Sequence, residues 1–150
     1  MAHTYSQIYV HVVHSTQKRQ PIIGNEFKGE LCKYITGIVK KKGQRMIAIN
    51  CTSDHIHYFI ALSPDVSISD LVRDIKHFSS CFINEKKLCR TKFQWQEGFG
   101  AFSNSHSQID GVVRYIESQE EHHRKYSFQE EYLKILRQSG VGYELKYVFD

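Results

Sequence analysis

The period of the hydrophobic pattern switches repeatedly along this chain, and the order of the switches restricts the folds open to it. Residues Tyr5 to His14 alternate, with Ile8, Val10 and Val12 on one side and Tyr5, Tyr9 and His11 on the other, the period-two mark of a half-buried strand. From Glu26 to Lys42 the apolar residues Phe27, Leu31, Tyr34, Ile35, Ile38 and Val39 recur at helical spacing, and Gly43 ends the run. Two β-rich stretches follow, Arg45 to Cys51 and His55 to Leu62. The intervening Thr52-Ser53-Asp54 predicts an antiparallel hairpin. Ser67 to Asp70 offers a helix N-cap for Leu71, Val72, Ile75, Phe78, Ser79 and Phe82, a helix expected to run to about Leu88. Phe93 to Ser103 is aromatic and glycine-punctuated, a strand with a bend near Gly98 and Gly100. An amphipathic helix is predicted from Gln108 to about His123, and Ser127-Phe128-Gln129-Glu130 reads as the capping box of a last one. The order β, α, β, β, α, β, α, α predicts an α+β fold, a ferredoxin-like antiparallel sheet with packed helices and extra C-terminal helices. With no internal repeat and no long linker, residues 1–150 are expected to form a single domain.

Composition excludes several classes. With 41% hydrophobic residues, 2 prolines and 9 glycines in no short period, the chain is neither wholly disordered nor collagen-like. No apolar run approaches the ~20 residues that span a bilayer, and the N-terminus lacks the basic-then-apolar order of a secretion signal. The 4 cysteines, Cys32, Cys51, Cys81 and Cys89, form no C-x-x-C pair, which argues against a zinc ribbon and for reduced thiols. A cytoplasmic protein with no membrane partner is therefore expected. A net charge of +4 permits a polyanionic partner. Lys40, Lys41, Lys42 and Arg45, then Arg73, Lys76, Lys86 and Lys87, are the candidates to contact DNA phosphates, with Trp95, Phe99 or Phe102 available for stacking. Solvated helix ends and core aromatics produce the same pattern.

The sharpest local motif is Asp54-His55-Ile56-His57. On a strand, residues two apart share a face, so His55 and His57 project side by side while Ile56, Tyr58 and Ile60 face the other way. Two imidazoles so placed can share a metal ion, and two half-exposed histidines without a ligand fit the same spacing. Recruiting Cys51 would give a C-x3-H-x-H zinc site, but Cys51 lies across the hairpin turn. In Val113 to His123, Tyr115 and Gln119 stand four residues apart and stack on one helical face. Two imidazoles and an amide oxygen make a mixed site suited to Mn²⁺ or Mg²⁺. A phenol beside it is a nucleophile for a polarised phosphodiester.

Taken together these segments resemble the single-tyrosine HUH transposases of small bacterial insertion sequences, the TnpA type, and their relatives associated with repetitive extragenic palindromes. The resemblance rests on His11-Val12-Val13 with Ser15 to Pro21, the Asp54 to His57 strand, Trp95-Gln96 with Phe99 to Ser103, Tyr115 to Gln119 with His122-His123, and the closing Ser127 to Tyr132. It implies that His55 and His57 are paired metal ligands, Gln119 the third, and Tyr115 the nucleophile left joined to a 5′ phosphate of single-stranded DNA. It further implies a homodimer in which one subunit's tyrosine helix can complete the other's site, with hairpins at element ends as the partner. His14 stands where many relatives carry an aromatic. Two other functions stay open: another HUH endonuclease (replication initiator or relaxase), and a non-catalytic regulator that binds single-stranded nucleic acid.

Overall fold

In the computed structural model, which describes residues 3–150, four strands and five helices follow one another in the expected alternation. The strands are β1 (Tyr9–Ser15), β2 (Arg45–Cys51), β3 (His55–Ala61) and β4 (Gly100–Asn104), and the helices are α1 (Asn25–Lys41), α2 (Ile68–Glu85), α3 (Ile109–Glu117), α4 (Gln119–His122) and α5 (Phe128–Gln138). The sheet order is β2-β3-β1-β4 with every pairing antiparallel, the ferredoxin-like arrangement with helices added at the C-terminus.

Alternation along the strands divides the side chains between two helical layers. Val10 and Val12 of β1, with Ile56, Tyr58 and Ile60 of β3, pack against Phe27, Leu31 and Ile35 of α1 and Leu71, Val72 and Ile75 of α2. Each fully buried side chain of this kind contributes roughly 1.5–3 kcal/mol. On the reverse face, Ala48 and Phe59 lie under Ile116 of α3, and Val13 lies under Phe128, Tyr132 and Leu136 of α5. His55 and His57 belong to this second face.

Local chemistry sets the element ends. Gly43 follows α1 with φ +77°, a conformation that favours glycine. Ser67 and Ser127 cap α2 and α5 by accepting from the N–H groups of Asp70 and Glu130. Gly100 admits the Tyr132 ring, which a Cβ there would meet at 2.8 Å, so α5 lies directly on the backbone of β4.

Three predicted elements differ from the observed ones. The first strand begins at Tyr9 rather than Tyr5, because Tyr9 already pairs with the terminal residues of both neighbours, Ala61 and Asn104; Tyr5 is exposed. The stretch before Gly100 is a pinned loop rather than a strand. Asn84 bonds both backbone groups of Phe93, and the Lys76 ammonium donates to the carbonyls of Gln96, Glu97 and Gly98 at 2.8, 3.0 and 2.7 Å. The helix predicted from Gln108 to His123 breaks at Ser118 (φ −96°, ψ 19°). There the Asn50 amide donates to the Ile116 carbonyl at 3.0 Å, an acceptor that a continuous helix would have used itself. The polar stretch from Ser103 to Ser107 ends β4 and, through Ser105 and Gln108, caps the turn that leads into α3.

Candidate active site

The β2–β3 hairpin sets the first imidazole. His55 Nδ1 lies 2.7 Å from Asp54 Oδ1 and 2.8 Å from Thr52 Oγ1, so the turn holds one ring nitrogen and aims Nε2 away from it. Phe128 packs on the same ring, with centroids 4.5 Å apart. His57 points the same way two residues on. Its Nδ1 lies 2.8 Å from His11 Nε2 on β1, and its Nε2 lies 2.9 Å from Glu131 Oε1 on α5. Both histidines are buried.

The second face brings the rest of the cluster. Gln119, fully buried just after the helix break, places Oε1 3.5 Å from His55 Nε2 and 2.9 Å from His123 Nε2. Glu131 is the hub, with Oε1 3.4 Å from His55 Nε2 and 3.2 Å from His123 Nε2. Its other oxygen lies 3.1 Å from His122 Nε2 and accepts a hydrogen bond from the Tyr115 hydroxyl. Donor atoms of His55, His57, His123 and Glu131 all lie within 4.8 Å of one another. Tyr115, Gln119 and both strand histidines therefore converge within one chain. The combination of three imidazoles, a carboxylate and an amide oxygen is a donor set that fits a divalent ion.

Electrostatics follow from this packing. Burial on its own would raise the pKa of Glu131, yet hydrogen bonds from His123, His55 and His57 outweigh it and hold the carboxyl far below the usual carboxylate range. Burial likewise works against a charged His55, but its bonds to Asp54 and Glu131 prevail and raise its pKa. His57 is lowered to about 4, chiefly by burial, against the pull of Glu131. His11 falls to about 3, again chiefly by burial. Burial and the adjacent Glu131 charge push the Tyr115 phenol above its ordinary value of 10. An anionic carboxylate alone thus opposes ionisation of the phenol, and a cation among these donors acts in the opposite sense.

Four members of this cluster were not assigned roles from the sequence: Glu131, His122, His123 and His11. Glu131 carries a readable signal, because it stands at i+3 from Phe128 on the core-facing stripe of α5, where a carboxylate needs partners. Cys51 takes no part. It faces α1, with its Sγ 3.9 Å from that of Cys32.

The eight basic candidates do not join the cluster. Lys40, Lys41, Lys42, Arg73, Lys76, Lys86 and Lys87 belong to α1, α2 and the residues that follow them, the layer behind the opposite sheet face, and Arg45 opens the edge strand β2 opposite Ala61. Lys42 pairs with Asp74 at 2.9 Å, Arg73 with Asp70 at 3.3 Å and Lys86 with Glu30 at 3.0 Å. Lys76 uses its ammonium on three carbonyls.

A sequence profile described as "Transposase IS200 like" matches residues 4–119, most of the chain and all of the segment from β1 through Tyr115 and Gln119. The chain belongs to the IS200-like transposase family. As a member of that family it is expected to act on DNA, and its fold agrees. It is similar to a candidate transposase from Deinococcus radiodurans R1, with a TM-score of 0.65 and 18% identity over 79% of this chain and 95% of that one. It is also similar to a REP-associated tyrosine transposase bound to a REP hairpin, with a TM-score of 0.59 and 17% identity over 82% and 74% of the two chains. No curated protein matches the chain significantly. In this IS200-like family member, His123, Glu131 and the whole of α5 lie beyond the matched residues.

Proposed function

We propose that this IS200-like family member is a metal-dependent single-stranded DNA transposase that cleaves and rejoins DNA through a covalent 5′-phosphotyrosine on Tyr115. The observation that carries the reading is the Tyr115 hydroxyl bonded to a carboxylate that itself lies among His55, His57 and His123. His55, His57 and Gln119 are the proposed metal ligands, joined by His123 and Glu131. Three imidazoles in the set favour Mn²⁺ over Mg²⁺. When bound, the ion supplies a Lewis acid that polarises a phosphoryl oxygen.

The protein's own groups do the rest. Glu131 orients the phenol through their hydrogen bond, and the phenol releases its proton as the Tyr115 oxygen forms a bond to phosphorus. The bond from phosphorus to the upstream 3′ oxygen breaks, and that oxygen gains a proton, which balances the one lost by the phenol. The phosphotyrosine ester conserves the energy of the broken diester, so a 3′ hydroxyl can attack it and join new ends. The REP hairpin held by one structural neighbour supports hairpin DNA as the partner of this chain too.

The proposed phosphate contacts outside the reaction centre are Lys40, Lys41, Lys42, Arg45, Arg73, Lys86 and Lys87. Lys76 leaves this set because its donors are occupied. Replacing the exposed pair Lys40 and Lys41 by Gln is expected to lower the slope of log affinity against log salt by about 2. An unchanged slope would remove this surface from the account.

Incubation of the protein with single-stranded hairpin oligonucleotides and Mn²⁺ tests the reading. A covalent adduct on a denaturing gel, lost in Tyr115→Phe and suppressed in His57→Ala or by chelation, is the expected outcome. Retarded DNA on a native gel with no adduct in any metal would identify a non-catalytic binding protein instead.

A further inference from the structure

Tyr115 and Glu131, which close the histidine cluster, also line a cavity of about 300 Å³. Val112 of α3 and Ile135 of α5 are its aliphatic walls, and the polar side chains His11, His122 and Gln138 also border it. Tyr126, between α4 and α5, stands at its edge 47% exposed, its ring 5.2 Å from that of His122 and tilted by 32°. Lys134 lies one turn beyond Glu131 on α5 and brings an exposed cation to the same opening.

This combination has a specific chemical meaning beside a nucleophile for phosphodiesters. A group seated in the cavity is a neighbour of Tyr115, one of its lining residues. A strand whose phosphate reaches that hydroxyl carries its two adjoining bases within one nucleotide step. Those bases must leave the stack to let the phosphate approach, and an unstacked base seeks an apolar slot and an aromatic face. Val112 and Ile135 offer the slot, Tyr126 the face, and Lys134 a counter-charge for the neighbouring phosphate. The cavity is at the small end of the usual range for ligand sites, which suits one base rather than a longer segment.

We propose that this cavity is a nucleobase pocket: it takes one of the two bases flanking the scissile phosphate and so positions that phosphate on Tyr115. The inference rests on the strand-transfer reading of Tyr115 and adds a substrate-recognition site to it. Ile135 and Val112 act here as positioning residues, since they touch the base and not the reacting atoms.

The test uses hairpin oligonucleotides that are intact, or abasic at the nucleotide on one side or the other of the cleavage point, with Mn²⁺ and the full chain. For the wild-type protein, one of the two abasic substrates is expected to form adduct about tenfold or more slowly, while affinity for the hairpin changes less than about twofold. Ile135→Trp fills the cavity and is expected to slow the intact substrate to a similar degree while losing sensitivity to the abasic site. Val112→Phe, with a melting curve for each variant, separates this effect from misfolding. Equal adduct rates on all three substrates, or wild-type rates from a folded cavity-filled variant, would overturn the pocket and leave the strand-transfer reading standing. Failure of the wild-type protein to form adduct with the intact substrate in any metal would overturn both.

Discussion

Glu131 sits where a core-facing stripe of α5 calls for an apolar side chain, and only the groups around it make a buried charge there tolerable. Its oxygens meet His55, His57, His122 and His123 as well as the Tyr115 hydroxyl. Replacement by Gln keeps the volume and removes the charge. Glu131→Gln is expected to lower both the adduct rate and the apparent Mn²⁺ affinity roughly 10–100-fold, read from adduct formation across a Mn²⁺ titration; wild-type behaviour in both would remove Glu131 from the site. The strand histidines were legible because two-residue alternation leaves no freedom about which face they share. Glu131 was hidden by a competing explanation, since Ser127, which accepts from the Glu130 N–H and donates to the Glu130 carboxylate, accounts for the start of α5 and leaves the next acid looking like an ordinary first-turn residue. His11 was hidden differently: its meaning depends on the β1–β3 register, which sets it beside His57 and which periodicity within one strand cannot supply.

Among the elements, β1 carries the clearest pH signature. His14 projects from it toward the α2 layer, fully buried, with Nε2 3.0 Å from the Tyr58 hydroxyl and its ring 4.6 Å from that of Trp95. Burial, aided by the charge of Lys76, holds its pKa well below the ordinary 6.5, so the folded chain keeps it neutral. The unfolded chain takes up that proton below pH ~6.5, so this contribution to stability is fully present above that pH and lost as pH falls through it. His11 and His57 titrate with the same sign. In metal-free protein, His14→Phe is therefore expected to flatten the fall in melting temperature between pH 7 and 5, although it lowers stability at neutral pH by about 1–3 kcal/mol through the unpaired Tyr58 hydroxyl. An unchanged pH slope would show that His14 protonates freely in the fold. Strongly periodic elements such as α1, α2 and the β2–β3 hairpin were readable in outline. The run from Phe93 to Phe99 was not, because its aromatic pattern serves a loop held by Asn84, Lys76 and a single antiparallel bridge from Trp95 to Thr16 rather than by a full strand ladder. The break at Ser118 depends on Asn50, more than sixty residues away, and so is invisible to local pattern.

At the scale of the molecule, the sheet separates two roles. The α1–α2 layer closes the main core, and α3, α4 and α5 bring Tyr115, Gln119, His123 and Glu131 onto the opposite face against the chain's own histidine pair. Tyr115 thus meets the histidine cluster of its own chain. A mixture of Tyr115→Phe and His57→Ala proteins is expected to stay inactive in adduct formation, because neither chain holds a full set. Recovery of activity in the mixture would mean that the tyrosine helix is exchanged between subunits. The order of elements was enough to anticipate the sheet and its helical layers. The closure of the site by α5 was not, since it depends on contacts such as Gly100 with Tyr132 that join distant segments. The most direct test of the whole account is the mass of the tryptic peptide carrying Tyr115 after incubation with a cleavable hairpin oligonucleotide and Mn²⁺. A peptide bearing the 5′-phosphorylated downstream DNA fragment on Tyr115 is predicted; unmodified Tyr115 alongside cleaved DNA would contradict the account.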